Sequence, residues 1–256
     1  MNLLESLFTK GLIGGSGGGQ SATVEISNCY RLCADGIRLE LLDVIYTGNC
    51  TNFGYMFHSC RALTSIPELD TSKGTTFDAM FKSCSALTSI PELDTSKGII
   101  FDSMFNSCIA LTSIPELDTS KGTNFNYMFK DCSSLTSIPK LDLNKCADCS
   151  STFMNCYKLE NLYLYNIRRS ITIGSGTSYG HLLTVDSLVH TIKELCTVKS
   201  KKTLTMGSAN LAKISSLYCR VLDDTDEKKP MELCESTDEG AMTLTKYAEL
   251  KNWALA

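Results

Sequence analysis

Apolar positions recur along this chain every 24 residues. Phe53, Met56, Phe57, Cys60, Leu63, Ile66 and Leu69 form one unit. The same seven types return from Phe77 to Leu93, from Phe101 to Leu117 and from Phe125 to Leu141. A worn fifth copy keeps Cys149, Phe153, Cys156, Leu159 and Leu162, and Leu39, Leu42, Ile45 and Thr47 hold the register upstream. Within a unit the spacing changes character. Phe, Met, Phe and Cys stand at i, i+3, i+4 and i+7, which predicts a turn or two of helix. Leu-x-x-Ile-x-x-Leu follows with proline beside the isoleucine, cannot continue a helix, and predicts a short extended segment. "LDTSKG" then predicts a tight corner, with Asp accepting from nearby backbone N–H groups and Gly tolerating positive φ.

One such unit cannot bury its own apolar face, so neighbours must stack. Stacking sets each column against its own copies, making Cys60, Cys84, Cys108, Cys132 and Cys156 a buried ladder of small side chains. Pro67, Pro91, Pro115 and Pro139 lack the N–H that a strand ladder needs, so the paired strand is expected to end near that column. A 24-residue period falls in the leucine-rich-repeat range. The expected fold is therefore an α/β repeat solenoid, a leucine-rich-repeat-like right-handed coil of 24-residue units with an irregular α+β C-terminal cap. Its parts are residues 1–20 as docking helix and tether, 21–165 as solenoid, and 166–256 as atypical repeats and cap. In the cap we expect strands at Ser170–Ile173 and Lys202–Met206 and a helix over Asp186–Cys196 opened by Thr184 or Asp186. A turn or short helix is expected at Leu211–Ile214, a hairpin from Leu217–Leu222 and Met231–Cys234, and a final helix over Thr243–Trp253. Trp253 is expected to pack beneath the cap, closing the open end of the core.

The pattern "MFxxCxxLTSIPxLDTS" resembles the BspA-like leucine-rich repeats of bacterial surface proteins and of proteins encoded in phages and prophages. The resemblance covers about half the chain. It implies a right-handed strand–turn–helix solenoid used for binding, with no catalytic residues to carry over. More loosely, "SITIGSGTSYGHLLTVDSL" and "KTLTMGSANLAKIS" look like the closing segments of such proteins in phages.

Composition narrows the partners. The 256 residues are 43% hydrophobic and 20% charged, with a net charge of −4. That is a chain with a real core and no electrostatic case for nucleic acid. No run is apolar and long enough for a membrane span. The N-terminal "MNLLESLFTKGLIGGSGGGQ" has an acid at Glu5 and no basic start, so it does not read as a signal peptide. Leu3, Leu4, Leu7 and Phe8 share one helical face ahead of a glycine-rich tether; the segment is either a frayed tail or a small helix that docks into a larger assembly. Without a signal peptide, the thirteen cysteines are not expected to form a disulfide framework.

Three candidate chemistries are weaker than the repeat that explains them. Gly176–Gly180 matches G-x-S-x-G around Ser178, with Asp186 and His190 downstream. Those two are one helical turn apart and too near the serine for a hydrolase elbow. Cys146 and Cys149, with Cys29 and Cys33, suggest zinc. However, Cys146 stands in the Gly74/Gly98/Gly122 column and Cys149 in the phenylalanine column, as substitutions within the repeat. The Asp70, Asp94, Asp118 and Asp142 column beside Glu68, Glu92 and Glu116 suggests calcium, but Lys73, Lys97, Lys121 and Lys145 lie close and make solvated turns the better reading. No cofactor or metal is expected, and no enzymatic activity.

Two faces remain for a ligand. One carries Thr64, Ser65, Glu68 and their copies Ser89, Glu92, Ser113 and Glu116; only Lys140 breaks the glutamate column. Such uniformity suits a periodic ligand, or none. The other, expected on the helical side, varies: Tyr55, His58 and Arg61, then Ala79, Lys82 and Ser85, then Ser103, Asn106 and Ile109, then Tyr127, Lys130 and Ser133. The expected role is a non-enzymatic binding module. The resemblance places it in a phage or prophage tail contacting a host-surface glycan or protein, with the N-terminus meeting other tail components. The alternatives are a bacterial surface adhesin, or a spacer with no ligand. Tail parts are often trimeric, so a homo-oligomer is an open expectation, although no heptad stretch marks one.

Overall fold

The computed structural model describes residues 47–173, 183–223, 225–226 and 229–256. The docking residues Leu3, Leu4, Leu7 and Phe8, the tether, Cys29, Cys33 and the G-x-S-x-G stretch lie outside the described residues.

Repeat units stack in parallel, and backbone hydrogen bonds join each to the next. Phe53 N–H donates to the Thr76 carbonyl at 2.8 Å, Tyr55 to Asp78 at 2.9 Å, Phe57 to Met80 at 2.8 Å and Ser59 to Lys82 at 2.7 Å. The same four rungs recur from the Phe77, Phe101 and Phe125 units. The residues in between turn back locally: Met56 N–H donates to Phe53, His58 to Tyr55 and Cys60 to Phe57. This overturns the expected helix. A helix directs its N–H groups along its own axis and leaves none for a stacked neighbour. Here every fourth residue adopts positive φ, as at Tyr55 (61°) and Ser59 (64°), and alternate N–H groups point along the stack instead. Ala79, Ser83, Ser103, Ser107, Tyr127, Asp131, Ser151 and Asn155 repeat the conformation. It costs a non-glycine residue roughly 1–2 kcal/mol, against about 1 kcal/mol gained per hydrogen bond and the burial that the stacking permits.

The strand expectation also changes. In the first three described units the Leu-x-x-Ile-x-x-Leu segment is no named strand. Its backbone bond to its neighbour lies at the threonine column, Thr88 N–H to Thr64 O and so on, and the third unit adds an isolated parallel bridge between Ser113 and Ser137. A named strand, β1 (Ser137–Asp142), appears only in the fourth unit and pairs in parallel with β2 (Asn161–Tyr165). It runs through Pro139, with a register shift between Ile138 and Leu141, where the proline has no N–H to give. The α and β elements expected of every unit are thus concentrated at the C-terminal end.

The core is the set of columns read from the sequence. All seven apolar positions of each of the four complete units are buried. Phe53, Phe77, Phe101 and Phe125 stack with centroids 5.4–5.6 Å apart and planes within 9°. Phe57, Phe81, Phe105 and Phe129 do the same, and the stack reaches Phe153 at 6.2 Å. The cysteine column is buried, and it is bonded as well as packed. Cys84 Sγ donates to the Phe57 carbonyl at 2.9 Å, and Cys108, Cys132 and Cys156 repeat this at 3.0 Å. Cys60, the first rung, is disulfide-bonded, a departure from the all-thiol ladder, whereas its column neighbour Cys84 is free.

The C-terminal part follows β2 with β3 (Ile171–Thr172), α1 (Val185–Lys193), β4 (Lys202–Thr205) and α2 (Gly207–Ile214). Then come β5 (Tyr218–Val221), β6 (Met231–Cys234), β7 (Met242–Thr243), α3 (Leu244–Leu250) and β8 (Trp253–Leu255). Thr184 caps α1, its side chain accepting from Ser187 N–H at 3.2 Å. The hairpin forms as β5 and β6, antiparallel. The last helix stops at Leu250 because Asn252 takes positive φ, and Trp253 opens β8 against β4 instead of closing the helix. Trp253 is fully buried, and its indole N–H donates to the Cys196 carbonyl at 2.8 Å.

Stacking predicts two unequal costs. A Cβ on Gly74 would stand 2.5 Å from Phe77 Cζ, so Gly74→Ala should destabilise by about 1–3 kcal/mol. Phe105→Ala opens a hole in a continuous stack and should cost about 3–5 kcal/mol. Urea denaturation measures both; an unchanged midpoint for Phe105→Ala would show that the columns do not hold the units together.

Candidate binding surfaces

The uniform face stands where the sequence placed it. Thr64, Thr88, Thr112 and Thr136 are exposed, as are Ser65, Ser89, Ser113, Glu68, Glu92 and Glu116. Its hydroxyls, however, are partly committed. Thr88 Oγ1 donates to the Thr64 carbonyl at 3.2 Å and Thr136 Oγ1 to Thr112 at 3.1 Å. A hydroxyl has one hydrogen to give, so these side chains turn methyl groups and lone pairs outward rather than donors. Lys140 reaches Glu116 at 3.3 Å.

The aspartate corners are local turns. Asp70 Oδ1 accepts from Ser72 N–H at 3.1 Å and Ser72 Oγ at 2.7 Å, and Asp118 accepts from Ser120 in the same way. The serine hydroxyl, then the serine N–H, hold the Asp70, Asp94 and Asp118 carboxyls below their usual value. Among the described residues no three His, Cys, Asp or Glu side chains converge as ligands for a metal ion.

The variable side lies on the turn segments, not on helices. Tyr55 and Tyr127 occupy one column, 53% and 38% exposed, while Ala79 and Ser103 between them are 3% and 4% exposed. Two large rings therefore stand at the ends of a saddle of small side chains. They are separated by three unit steps, about 15 Å at a ladder spacing of about 4.8 Å. The adjacent column carries His58, Lys82, Asn106 and Lys130. His58 Nδ1 lies 3.1 Å from Ser59 Oγ and its ring 5.5 Å from that of Tyr55. Burial, then the charge of Lys82, lower the His58 pKa. Lys130 Nζ sits 5.3 Å from the Tyr127 ring centre and 4.0 Å from Asp131. Asn106 is buried and accepts from Ser107 Oγ at 2.7 Å, which occupies one of the two acceptor positions of its carbonyl oxygen. Arg61 is exposed beside Ile109 and Tyr157 two and four units on.

A further feature had no signal in the repeat alignment. A cleft of about 490 Å³ opens where the repeats give way to the C-terminal part, lined by Ala147–Ser151, Arg169–Thr172, Lys202, Thr203 and Thr205. It depends on β3 and β4 lying beside the fifth unit, a long-range pairing that no local pattern encodes. Asp186 and His190, the remaining members of the candidate triad, have other neighbours. Tyr163 OH donates to Asp186 at 2.9 Å, and the His190 ring meets the edges of Tyr163 and Tyr165 at 5.2 and 4.6 Å.

Among solved structures the chain is similar to a leucine-rich repeat protein of T. pallidum, at 16% identity and a TM-score of 0.33, over 57% of this chain and 77% of that one. No curated protein matches. Residues 51–166, the repeats themselves and rather less than half of the chain, match the family described as "Mycoplasma protein of unknown function, DUF285".

Proposed function

We propose that this protein is a non-enzymatic binding module whose turn-side face holds an extended glycan of a bacterial surface. The exposed pair Tyr55 and Tyr127, bracketing Ala79 and Ser103, carries this reading. Every phenylalanine of the described repeats is buried, so two tyrosines left open in one column are an exception to how the units use aromatic side chains. An aromatic face packs against the C–H face of a sugar ring, and the amphipathic tyrosine keeps its hydroxyl in water. His58, Lys82 and Lys130 in the next column supply polar groups for sugar hydroxyls or for the acid groups of a charged polymer. The uniform threonine face is the weaker surface, because the hydroxyl hydrogens of Thr88 and Thr136 are spent on backbone carbonyls.

The setting follows from the resemblance in the sequence. A phage or prophage tail component meeting its host and a bacterial surface adhesin would both set this face against a wall or capsular polymer. In the tail setting, Leu3, Leu4, Leu7 and Phe8 would dock the chain into its assembly.

Titration of the full chain with soluble wall and capsular oligosaccharides, followed by calorimetry, tests the reading. Tyr55→Ala and Tyr127→Ala should each weaken binding by about fivefold or more, and Thr112→Val should leave it unchanged. The reverse pattern would move the site to the uniform face. Absence of binding to every polymer and to whole bacterial cells would leave a spacer without a ligand. The pH response of the same face is also set. His58 is held neutral below its usual pKa of 6.5, so it takes up its proton only as pH falls through a lower value. Lys82→Gln removes the second cause and leaves burial, the first. The His58 ring titration followed by NMR should therefore move up toward 6.5 without reaching it; no movement would mean that Lys82 does not act on this site.

A further inference from the structure

Cys146 and Cys149 stand where the first unit carries Cys50 and Phe53, and where the units of Phe77, Phe101 and Phe125 carry glycine and phenylalanine. In those units the two columns compete for one space: a Cβ on Gly74 would meet the tip of the Phe77 ring at 2.5 Å, and Gly98 and Gly122 face Phe101 and Phe125 in the same way. The Cβ of the first position is thus aimed at the side chain of the second. In the fifth unit both positions change together, and two thiols occupy the space that one ring fills elsewhere. Both are free.

Their surroundings differ from those of the cysteine ladder. Cys84, Cys108, Cys132 and Cys156 are fully buried, and each thiol is bonded to a phenylalanine carbonyl. Cys149 is 8% exposed, lines the cleft, and makes a long contact to the Ser170 carbonyl at 3.6 Å. Arg169, on the cleft wall, donates from Nε to the Cys146 carbonyl at 2.7 Å and holds a positive charge beside the pair.

We propose that Cys146 and Cys149 are a redox-active dithiol that a low-molecular-weight disulfide oxidises through the cleft. The Cys149 thiolate bonds to one sulfur of the small disulfide, whose S–S bond breaks and releases one thiolate. The Cys146 thiolate then attacks Cys149 Sγ and expels the second. The two protons given up by the cysteines end on the two released thiols. One protein disulfide forms and one small disulfide is reduced, so atoms and electrons balance. The order of attack follows from the cleft, which reaches Cys149. It agrees with the contact between the thiols, in which the Cys146 thiol donates to Cys149 and lowers its pKa, while burial and then Asp148 work in the opposite direction. Burial pushes Cys84 and Cys156 up to about 12, which keeps the ladder protonated and unreactive. Closing the bond draws Cys149 off Ser170, so oxidation alters the cleft wall itself.

The test uses the full chain, reduced, desalted and exposed to oxidised glutathione, then quenched in acid, alkylated and digested with trypsin. Residues 146–158 should emerge as one peptide with an internal disulfide and a single alkyl group, on Cys156. Cys84, Cys108 and Cys132 should stay alkylated, their oxidation slower by more than about tenfold. In Cys146→Ser, glutathione should remain attached to Cys149. Three alkyl groups on the wild-type peptide would overturn the proposal. So would ladder cysteines that oxidise as fast, or a Cys146→Ser protein without an adduct on Cys149. The wild-type measurement stands without any variant having to fold.

Discussion

The structure depends on one hydrogen-bond arrangement: in each turn segment alternate N–H groups point out of the unit and into the carbonyls of the next. Four such bonds join each pair of units. A short repeat of this kind cannot satisfy its own backbone, and buried N–H groups left without partners are costly. The alternation solves this by sharing. Half the donors close local turns and half hold the neighbour. The unit therefore repeats at 24 residues, because each rung fixes a residue against the carbonyl just ahead of its own copy one unit on. It also tolerates ten non-glycine residues at positive φ, a strain that neither turn nor stack alone would repay.

With register fixed this way, side chains have no freedom to choose neighbours. Each column meets itself, which explains why phenylalanines stack face to face and why each ladder thiol bonds the carbonyl 27 residues behind it. It also explains why variation on the surface is informative. A column that alternates buried alanine and serine with exposed tyrosine has been released from the core requirement that holds its neighbours constant. In the fourth unit the proline-bearing segment becomes a true strand, and in the fifth glycine and phenylalanine give way together to Cys146 and Cys149. There the stack changes from turn ladder to the β-sheets of the C-terminal part, and there the cleft opens.

The core was legible because burial needs only composition at fixed spacing, and Phe53 through Leu141 supplied it. The aspartate corners were legible as well, since Asp70 and Ser72 act over two residues. The turn segment was misread for a physical reason. Phe53, Met56, Phe57 and Cys60 have helical spacing, yet an alternating turn with i→i−3 closures sets the same positions inward. One hint was present: Ser59, Ser83, Ser107, Asp131 and Asn155 share a column, and short polar residues tolerate positive φ best. The companion column, with Tyr55, Ala79 and Tyr127, offers no such hint.

The sequence by itself determined the period and the identity of the buried columns, and narrowed the cap of α1 to Thr184 or Asp186, because each rests on residues near in the chain or on a repeat that aligns with itself. Only the tertiary structure decided that the units are joined by turns rather than helices or strands. It alone set Tyr55 and Tyr127 on one saddle, spent the Thr88 and Thr136 hydroxyls on backbone, and laid β3 and β4 beside Cys149. Those outcomes turn on where each backbone donor finds its acceptor a unit or more away, and hydrophobic spacing carries no information about that choice.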